Sequence, residues 1–203
     1  MERSYIKRII ILILGLIILS SGIALFIKAD LGCDPYTTFN IGVSDAVNYN
    51  FAIVQIIINL VILAFILVVD RSFINIGTII SLFCVGPLIE FFNGVINSLL
   101  PYQFGFIGNV IILLIGCVIV SFGVGLYIAT DLGAGPYDIL PLIIEKRKNW
   151  SYKWIRIVLD VSCAVIGFLL GATIGIGTII VALGLGPGIE YFRSFAVRFI
   201  LKD

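Results

Sequence analysis

Asn59 and Asp160 are the most conspicuous polar side chains in this sequence, because each interrupts a long apolar run. Asn59 lies eight residues into one run and Asp160 nine residues into another, which places both about 12 to 14 Å along their helices. A carboxylate at the middle of a membrane is a site for a proton or a cation, and an amide can be its hydrogen-bonding partner. We therefore expect a central site in which Asp160 is the ion-linked group and Asn59 is its partner.

Gln55 and Arg156 lie one helical turn before these two residues and are further candidates for the same site. A second interpretation stays open. Arg156 and Asp160 are four residues apart, so they can form an ion pair on one face of a single helix and neutralise each other. In that case the pair stabilises the helix and binds nothing.

The composition explains why these side chains stand out. Of the 203 residues, 61% are hydrophobic and 12% are charged, and the mean hydropathy is +1.19, which indicates an integral membrane protein. The absence of histidine excludes histidine-based acid–base catalysis, Ser-His-Asp triads and histidine-ligated metals. A net charge of +1 without a basic block argues against nucleic acid as a partner. We expect no enzyme activity, no cofactor and no metal site.

The four cysteines are scattered along the chain and lack the C-x-x-C spacing of redox and zinc sites. They are Cys33, Cys84, Cys117 and Cys163. We expect them to be small buried apolar residues.

The chain consists of two copies of one unit. The stretch Asp30–Tyr36 returns 101 residues later as Asp131–Tyr137, and Ile76–Glu90 returns as Ile176–Glu190. A repeat of this length indicates that a structural unit has been duplicated. We predict one membrane domain with the following bounds: domain 1–203, repeat one 8–100, repeat two 105–201.

Six apolar runs are long enough to cross a bilayer, three in each repeat. They lie at 9–27, 51–69, about 73–98, 106–129, 151–171 and 174–197. Lys and Arg are absent from every second loop, so the excess of basic residues on the inner side puts both termini in the cytoplasm. Because each repeat has an odd number of spans, the second repeat has the opposite orientation in the membrane. We predict an all-α integral protein of the cell membrane: six transmembrane helices as two inverted-topology three-helix repeats, each with a short broken or re-entrant helix.

The repeated motif breaks the chain once in each unit. Glycine permits a tight backbone there, and proline can begin a new helix that is too short to cross the bilayer. Such a helix either lines a solute path or redirects the chain at the membrane surface, and both interpretations stay open. The gate or hinge residues expected at these breaks are Gly32, Pro35, Gly133 and Pro136.

A Gly-Pro pair lies inside the third apolar run of each repeat. Proline removes a backbone hydrogen bond and kinks a helix, so we expect both helices to bend. The hinge residues expected here are Gly86, Pro87, Gly186 and Pro187.

Carboxylates accompany the motif and the Gly-Pro pairs. The predicted topology puts Asp34 and Glu90 at the outer mouth, and Asp138 and Glu190 at the inner mouth. Such a carboxylate is either part of a path for a solute or ion, or a cap at the interface. A carboxylate near a helix start suits a proton, a cation or an amine better than an anion.

Both repeats carry a pattern of the kind G-x-G-x-A-L…A-x-L-G-x-x-P-[WY]-D, which falls on Gly22–Tyr36 and Gly123–Asp138. With the two Ile-Gly-Thr…Gly-Pro…Glu elements, this pattern resembles the YczE/YitT-related group of uncharacterised bacterial membrane proteins. Thr37 stands where repeat two has Asp138, which argues against a strictly symmetric carboxylate mechanism. The resemblance implies a multi-pass protein of the bacterial inner membrane and implies no activity.

Inverted repeats are typical of secondary transporters, and the sequence shows no nucleotide-binding motif. We predict a transporter-like protein that moves a small solute across the inner membrane with proton or cation coupling. Two other functions stay open: a membrane substrate-binding subunit of a larger transporter, and a non-transporting scaffold or accessory protein for a biosynthetic complex. The expected partners are the lipid bilayer, a small solute of unknown identity and, as one option, a second copy of the chain in a homodimer.

Overall fold

The structure is a computed structural model that describes residues 2–102 and 104–200. All regular secondary structure in these residues is helical. The α-helices in chain order are α1 (Glu2–Ala29), α2 (Pro35–Val47), α3 (Phe51–Asp70), α4 (Ile76–Leu99), α5 (Phe106–Ala129), α6 (Pro136–Lys148), α7 (Tyr152–Leu169) and α8 (Ile176–Phe195). A 3₁₀ turn, Arg71–Phe73, follows α3, and a π-helical turn, Ala196–Ile200, follows α8. The all-helical fold expected from the sequence is confirmed.

Five of these helices are long and apolar enough to cross a membrane, namely α1, α3, α4, α5 and α8. α7 is 18 residues long and carries Lys153, Arg156 and Asp160. At 1.5 Å per residue it is about 27 Å long, close to the thickness of a hydrocarbon core. Its charge, more than its length, distinguishes it from the other five.

α2 and α6 are the two short helices that the repeated motif predicts. Each is 13 residues long and begins at a proline, Pro35 or Pro136, whose missing N–H would have no partner in a first turn. Asp34 caps α2, because its side chain accepts a hydrogen bond from the Thr37 backbone N–H at 3.0 Å. The chain therefore restarts as a helix directly after each break.

The Gly-Pro pairs lie inside uninterrupted helices. α4 continues past Gly86 and Pro87, and α8 continues past Gly186 and Pro187. Any hinge at these positions has to act within a continuous helix.

Two antiparallel helices, α1 and α5, pack together along their length, and α4 and α8 pack against them from either side. Gly15 lies against Gly123, and Gly22 lies against Gly116, so the two backbones approach closely at two points. In the sequence repeat, Gly15 corresponds to Gly116 and Gly22 to Gly123. The two contacts are therefore counterparts of each other.

The short helix of each repeat packs on a long helix of the other repeat, α2 on α7 and α6 on α3. Gly42 and Gly167 meet in the first pair. Their counterparts in the second pair are the larger Ile143 and Ile66, which are both buried. Equivalent positions thus carry glycine where α2 packs on α7 and isoleucine where α6 packs on α3.

The loop of each motif binds the start of the last long helix in the other repeat. The Leu31 carbonyl accepts a hydrogen bond from the Gly177 N–H at 2.9 Å, and the Leu132 carbonyl accepts one from the Gly77 N–H at 2.7 Å. The φ angle is 112° at the motif residue Gly32 and 94° at its counterpart Gly133. Residues other than glycine rarely adopt these positive values.

Candidate functional site

The two copies of the motif meet through their tyrosines. Tyr36 and Tyr137, each directly after the first proline of its short helix, stack with ring centroids 4.4 Å apart and an interplanar angle of 19°. Aromatic stacking contributes beyond the apolar area that it buries. Because the two tyrosines are equivalent in the repeat, this contact lies where the two units face each other.

Each tyrosine hydroxyl binds the polar residue inside the next helix of its own repeat. The Tyr36 hydroxyl donates to Asn59 Oδ1 at 2.9 Å, and the Tyr137 hydroxyl donates to Asp160 Oδ1 at 2.5 Å. Both pairs are 23 residues apart in the sequence. The two residues predicted for the central site are therefore connected through the stacked tyrosines, and not by a hydrogen bond to each other.

Arg156 connects two carboxylates on the repeat-two side. Its Nε donates to Asp160 Oδ2 at 3.0 Å, and its Nη1 donates to Asp138 Oδ1 at 2.5 Å. Asp138 Oδ2 accepts a hydrogen bond from the Tyr127 hydroxyl. The guanidinium also lies over the Tyr137 ring, with Cζ 4.6 Å from the centroid. All four carboxylate oxygens of the two aspartates therefore face a donor.

These seven side chains form what we call the central cluster: Tyr36, Asn59, Tyr127, Tyr137, Asp138, Arg156 and Asp160. The side chains of Arg156, Asp138 and Asp160 are 8%, 17% and 1% exposed. The predicted pair of Arg156 with Asp160 forms, but Asp138 shares the same guanidinium, so one negative charge is left unbalanced. Because a buried unbalanced charge is costly, the cluster favours the binding of a proton or a cation.

The charges of the central cluster lie in repeat two only. Four of its members replace residues that are neutral in repeat one: Tyr127 replaces Phe26, Asp138 replaces Thr37, Arg156 replaces Gln55, and Asp160 replaces Asn59. Gln55 is half-buried on α3, one turn from Asn59. The stacked tyrosines, in contrast, are the same in both repeats.

A cavity of about 400 Å³ lies beside the second copy of the motif. Its polar lining includes Ser72, Asp131, Glu145, Lys146 and Arg193. Arg193 pairs with Glu145 at 2.5 Å, and its Cζ is 5.9 Å from the centroid of the Tyr152 ring. Tyr152 is fully buried next to Arg156, and its hydroxyl has no partner in the part of the chain that the structure describes. The Tyr152 ring thus lies near Arg193 of the cavity lining and next to Arg156 of the central cluster.

Comparison with known proteins places this chain in a family. The sequence pattern described as "Family of unknown function (DUF6198)" matches residues 6–194, nearly the whole chain. The chain belongs to DUF6198. It is 30% identical to the uncharacterized membrane protein YczE of Bacillus subtilis over 187 residues, 92% of this chain and 85% of the relative. The resemblance to YczE-related membrane proteins is therefore confirmed.

Two further relatives of this DUF6198 protein match over similar lengths. An uncharacterized protein of Haemophilus influenzae is 29% identical over 192 residues, 95% of this chain and 86% of that protein. The uncharacterized protein YyaS of Bacillus subtilis is 26% identical over 189 residues, 93% of this chain and 94% of that protein. No solved structure matches the chain.

Asp138 and Asp34 have different environments in this DUF6198 protein, although both lie within two residues of a motif proline. Asp138 is in the central cluster, because the first turn of α6 directs it to Arg156; its place at the inner mouth stays a prediction. Asp34 instead caps α2. Spacing in a sequence locates a chain break along the chain but does not give its depth in the protein.

The two glutamates of the Gly-Pro elements do not hydrogen-bond to the central cluster in the described residues. Glu190 accepts hydrogen bonds from the Ser151 hydroxyl at 2.8 Å and the Lys153 N–H at 2.7 Å, so it caps the start of α7. Glu90 is exposed on α4. For Glu190 the capping interpretation is therefore the one that the contacts favour.

Within residues 2–102 and 104–200, no group of three or more His, Cys, Asp and Glu side chains could hold a metal ion. The cysteines are free: Cys117 is buried and Cys163 is half-buried, but Cys33 and Cys84 are exposed. The prediction of buried cysteines is wrong for the last two, because Cys33 lies in a motif loop and Cys84 lies on an outer face of α4.

Tyr36, Tyr127 and Tyr137 were not among the predicted site residues. Two signals in the sequence point to them. The separation of 23 residues between a motif tyrosine and a deep polar residue recurs in both repeats, and Phe26 becomes Tyr127 where Thr37 becomes Asp138.

Proposed function

We propose that this protein is a carrier that moves a small solute across the cell membrane and couples that movement to a proton or another cation. The observation that carries the proposal is the central cluster. Arg156 and Asp160 are buried and Asp138 is half-buried; together they leave one negative charge unbalanced, and they lie where the two repeats meet. Charged groups inside a membrane are costly and mark paths for ions and substrates, and a static scaffold has no need of them.

In this proposal the carrier has six transmembrane helices in two inverted-topology repeats, with both termini in the cytoplasm. α7 is the sixth span, since its length of about 27 Å suffices and Arg156 and Asp160 have partners inside the protein. The alternation of Lys and Arg between loops supports the orientation. The paired glycine contacts of α1 with α5, and the paired contacts of the motif loops, support a two-fold relation between the repeats.

The stacked tyrosines would be the point at which the two halves of the central cluster slide past each other. Tyr36 and Tyr137 each keep a hydrogen bond within their own repeat, whereas only the stack joins the two rings. Such a stack contributes about 0.5–1.5 kcal/mol, so sliding one ring over the other costs little. The glycines and prolines of the motif, which set where α2 and α6 begin, would act as the hinges.

The cavity beside the second motif would be the entrance for the solute on that face. Arg193 lines the cavity and contacts Tyr152, which adjoins Arg156. In this proposal, a path from this face to the central cluster would pass Arg193 and Tyr152.

Reconstituted vesicles with a pH-sensitive dye in the lumen test the proposal. A panel of amines, amino acids, carboxylic acids and sugars is added outside, and solute-driven proton movement is recorded. We expect one chemical class to move protons in a protein-dependent way, and we expect Asp160→Asn to reduce the signal to that of empty vesicles.

Asp45→Asn is the matched control, since Asp45 is an exposed carboxylate on α2; it should behave as wild type. A solute that Asp160→Asn moves as fast as wild type would contradict the assignment of the site. Solute binding without flux, together with co-purification of an ATPase, would instead favour a substrate-binding subunit.

A further inference from the structure

We infer that the unbalanced charge of the central cluster is matched by a single proton shared between Asp138 and Asp160, and not by a metal cation. The inference deepens the proposed function, for which this proton would be the coupling ion. It rests, however, on the contacts of the cluster alone and can be tested without a known solute.

The donors around the two carboxylates disfavour a metal ion. The oxygens of Asp138 face Arg156 and Tyr127, and those of Asp160 face Arg156 and Tyr137. Hard cations need several oxygen ligands at once, and the guanidinium, within 3.0 Å of both carboxylates, would repel a second positive charge there. A proton needs no such set of ligands.

Among the residues that the structure describes, the other titratable groups around the pair supply no balancing positive charge. Arg193 of α8 lies near the Tyr152 ring and pairs with Glu145. The remaining neighbours are neutral or acidic at neutral pH: Tyr36 from α2, Asp34 from the loop before it, Tyr127 from α5, Tyr137 beside Asp138 on α6, and Tyr152 and Cys163 from α7. Asp34 would add negative charge and so increase the need for a proton.

The tyrosines allow the proton to bind and leave without rearrangement of the cluster. A phenolic hydroxyl both donates and accepts, so Tyr127 or Tyr137 can turn from donor to acceptor when its carboxylate becomes a carboxylic acid. The step adds one proton to a carboxylate oxygen and changes no other bond. The hydroxyl of Tyr152, which is buried beside Arg156 and has no hydrogen-bond partner among the described residues, is the group through which we expect the proton to enter.

Infrared spectroscopy of the vesicle-embedded protein at neutral pH tests the inference, because a protonated carboxyl absorbs apart from a carboxylate. Exposed Asp and Glu side chains are ionised at this pH, since their ordinary pKa is about 4. We expect one protonated carboxyl per molecule in the wild type. We expect none in Asp138→Asn or Asp160→Asn, because each leaves one carboxylate with one guanidinium. Asp45→Asn should keep the wild-type band.

Arg156→Gln gives the opposite change. It leaves two carboxylates without a cation, so the band should double to two protonated carboxyls per molecule. If this variant does not fold, the two asparagine variants, which keep the shape of the side chain, still decide the matter.

The inference is overturned if the wild type shows no protonated carboxyl at neutral pH, or if the band persists in both asparagine variants. A missing band together with stabilisation by sodium chloride, but not by choline chloride, would assign the site to a metal cation. A band without any solute flux would contradict the carrier and leave the proton site standing. Solute flux without the band would support the carrier and contradict the proton site.

Discussion

Tyr137 and Tyr36 occupy the same position in the two repeats but make hydrogen bonds of different strength. The acceptor of Tyr137 is the carboxyl group of Asp160, which is 1% exposed and is charged whenever the shared proton is on Asp138, whereas the acceptor of Tyr36 is the neutral amide of Asn59. A hydrogen bond to a charged group contributes about 1.5–3 kcal/mol, and one between neutral groups about 0.5–1.5 kcal/mol. A phenylalanine at either position would keep the stack and remove only the hydrogen bond.

Tyr137→Phe should therefore lower the free energy of unfolding by about 1.5–3 kcal/mol, and Tyr36→Phe by about 0.5–1.5 kcal/mol. Unfolding of the purified protein in detergent measures both changes. Tyr102→Phe is the control, because Tyr102 is 74% exposed, and it should have no effect. Equal losses for Tyr36→Phe and Tyr137→Phe would show that the charge of the acceptor does not matter.

Among the individual residues of the candidate site, the sequence identifies the polar residues inside the long helices but not the tyrosines. Asn59 and Asp160 could be predicted because a polar residue inside an apolar run has few explanations. Tyr36 and Tyr137 could not, since tyrosine is common at membrane interfaces and a chain break there looks like a surface turn. The missing information lies in the differences between the repeats: the hydroxyl of Tyr127 and the carboxylate of Asp138 arise together where repeat one has Phe26 and Thr37.

The antiparallel pair of α1 and α5 depends on glycine at its closest approach. A Cβ atom at Gly123 would lie 2.7 Å from the carbonyl oxygen of Gly15 and 2.8 Å from the Cα of Leu19. Both are backbone atoms, so a rotamer change cannot relieve the contact. A Cβ atom at Gly94 of α4, in contrast, would meet nothing within 4 Å.

Gly123→Ala should lower the free energy of unfolding by about 1–3 kcal/mol, the usual effect of overpacking. Gly94→Ala should leave it unchanged or raise it by up to about 1 kcal/mol, because alanine favours the helix more than glycine does. Unfolding curves of both variants in the same detergent give the comparison. Destabilisation of the same size in both would contradict the role of the contact between α1 and α5, because a Cβ atom at Gly94 meets nothing within 4 Å.

Helix boundaries can be predicted from the sequence where a residue such as proline favours the start of a helix. Pro35 and Pro136 begin α2 and α6 because proline fits the first turn of a helix. Pro87 and Pro187 leave their helices continuous, which shows that proline in an apolar run does not by itself mark an end. The partners of each helix were not predictable, because α2 packs on α7 through residues as featureless in sequence as Gly42 and Gly167.

The molecule as a whole combines equivalent backbone contacts with an unequal distribution of charge. The glycine contacts and the motif loops occur in matching pairs, yet the guanidinium and both carboxylates of the central cluster belong to repeat two. Two equally charged repeats would create two ion sites close together, which would repel each other. The present arrangement puts the charged groups in one place, and for the proposed carrier this implies one proton in each transport cycle.

Orientation in the bilayer is the property that internal contacts cannot supply, because every contact is the same when the molecule is turned over. The loop charges predict that α2 ends outside the cell and α6 inside. Val47 and Lys148, the last residues of these helices, are equivalent in the repeat and both exposed, so a cysteine at either position meets a similar local environment. With the four native cysteines replaced by alanine, a membrane-impermeant maleimide should label Val47→Cys in intact cells and Lys148→Cys only after the membrane is permeabilised. Labelling of both variants in intact cells would place the two ends on one side, and the inverted topology would then be wrong.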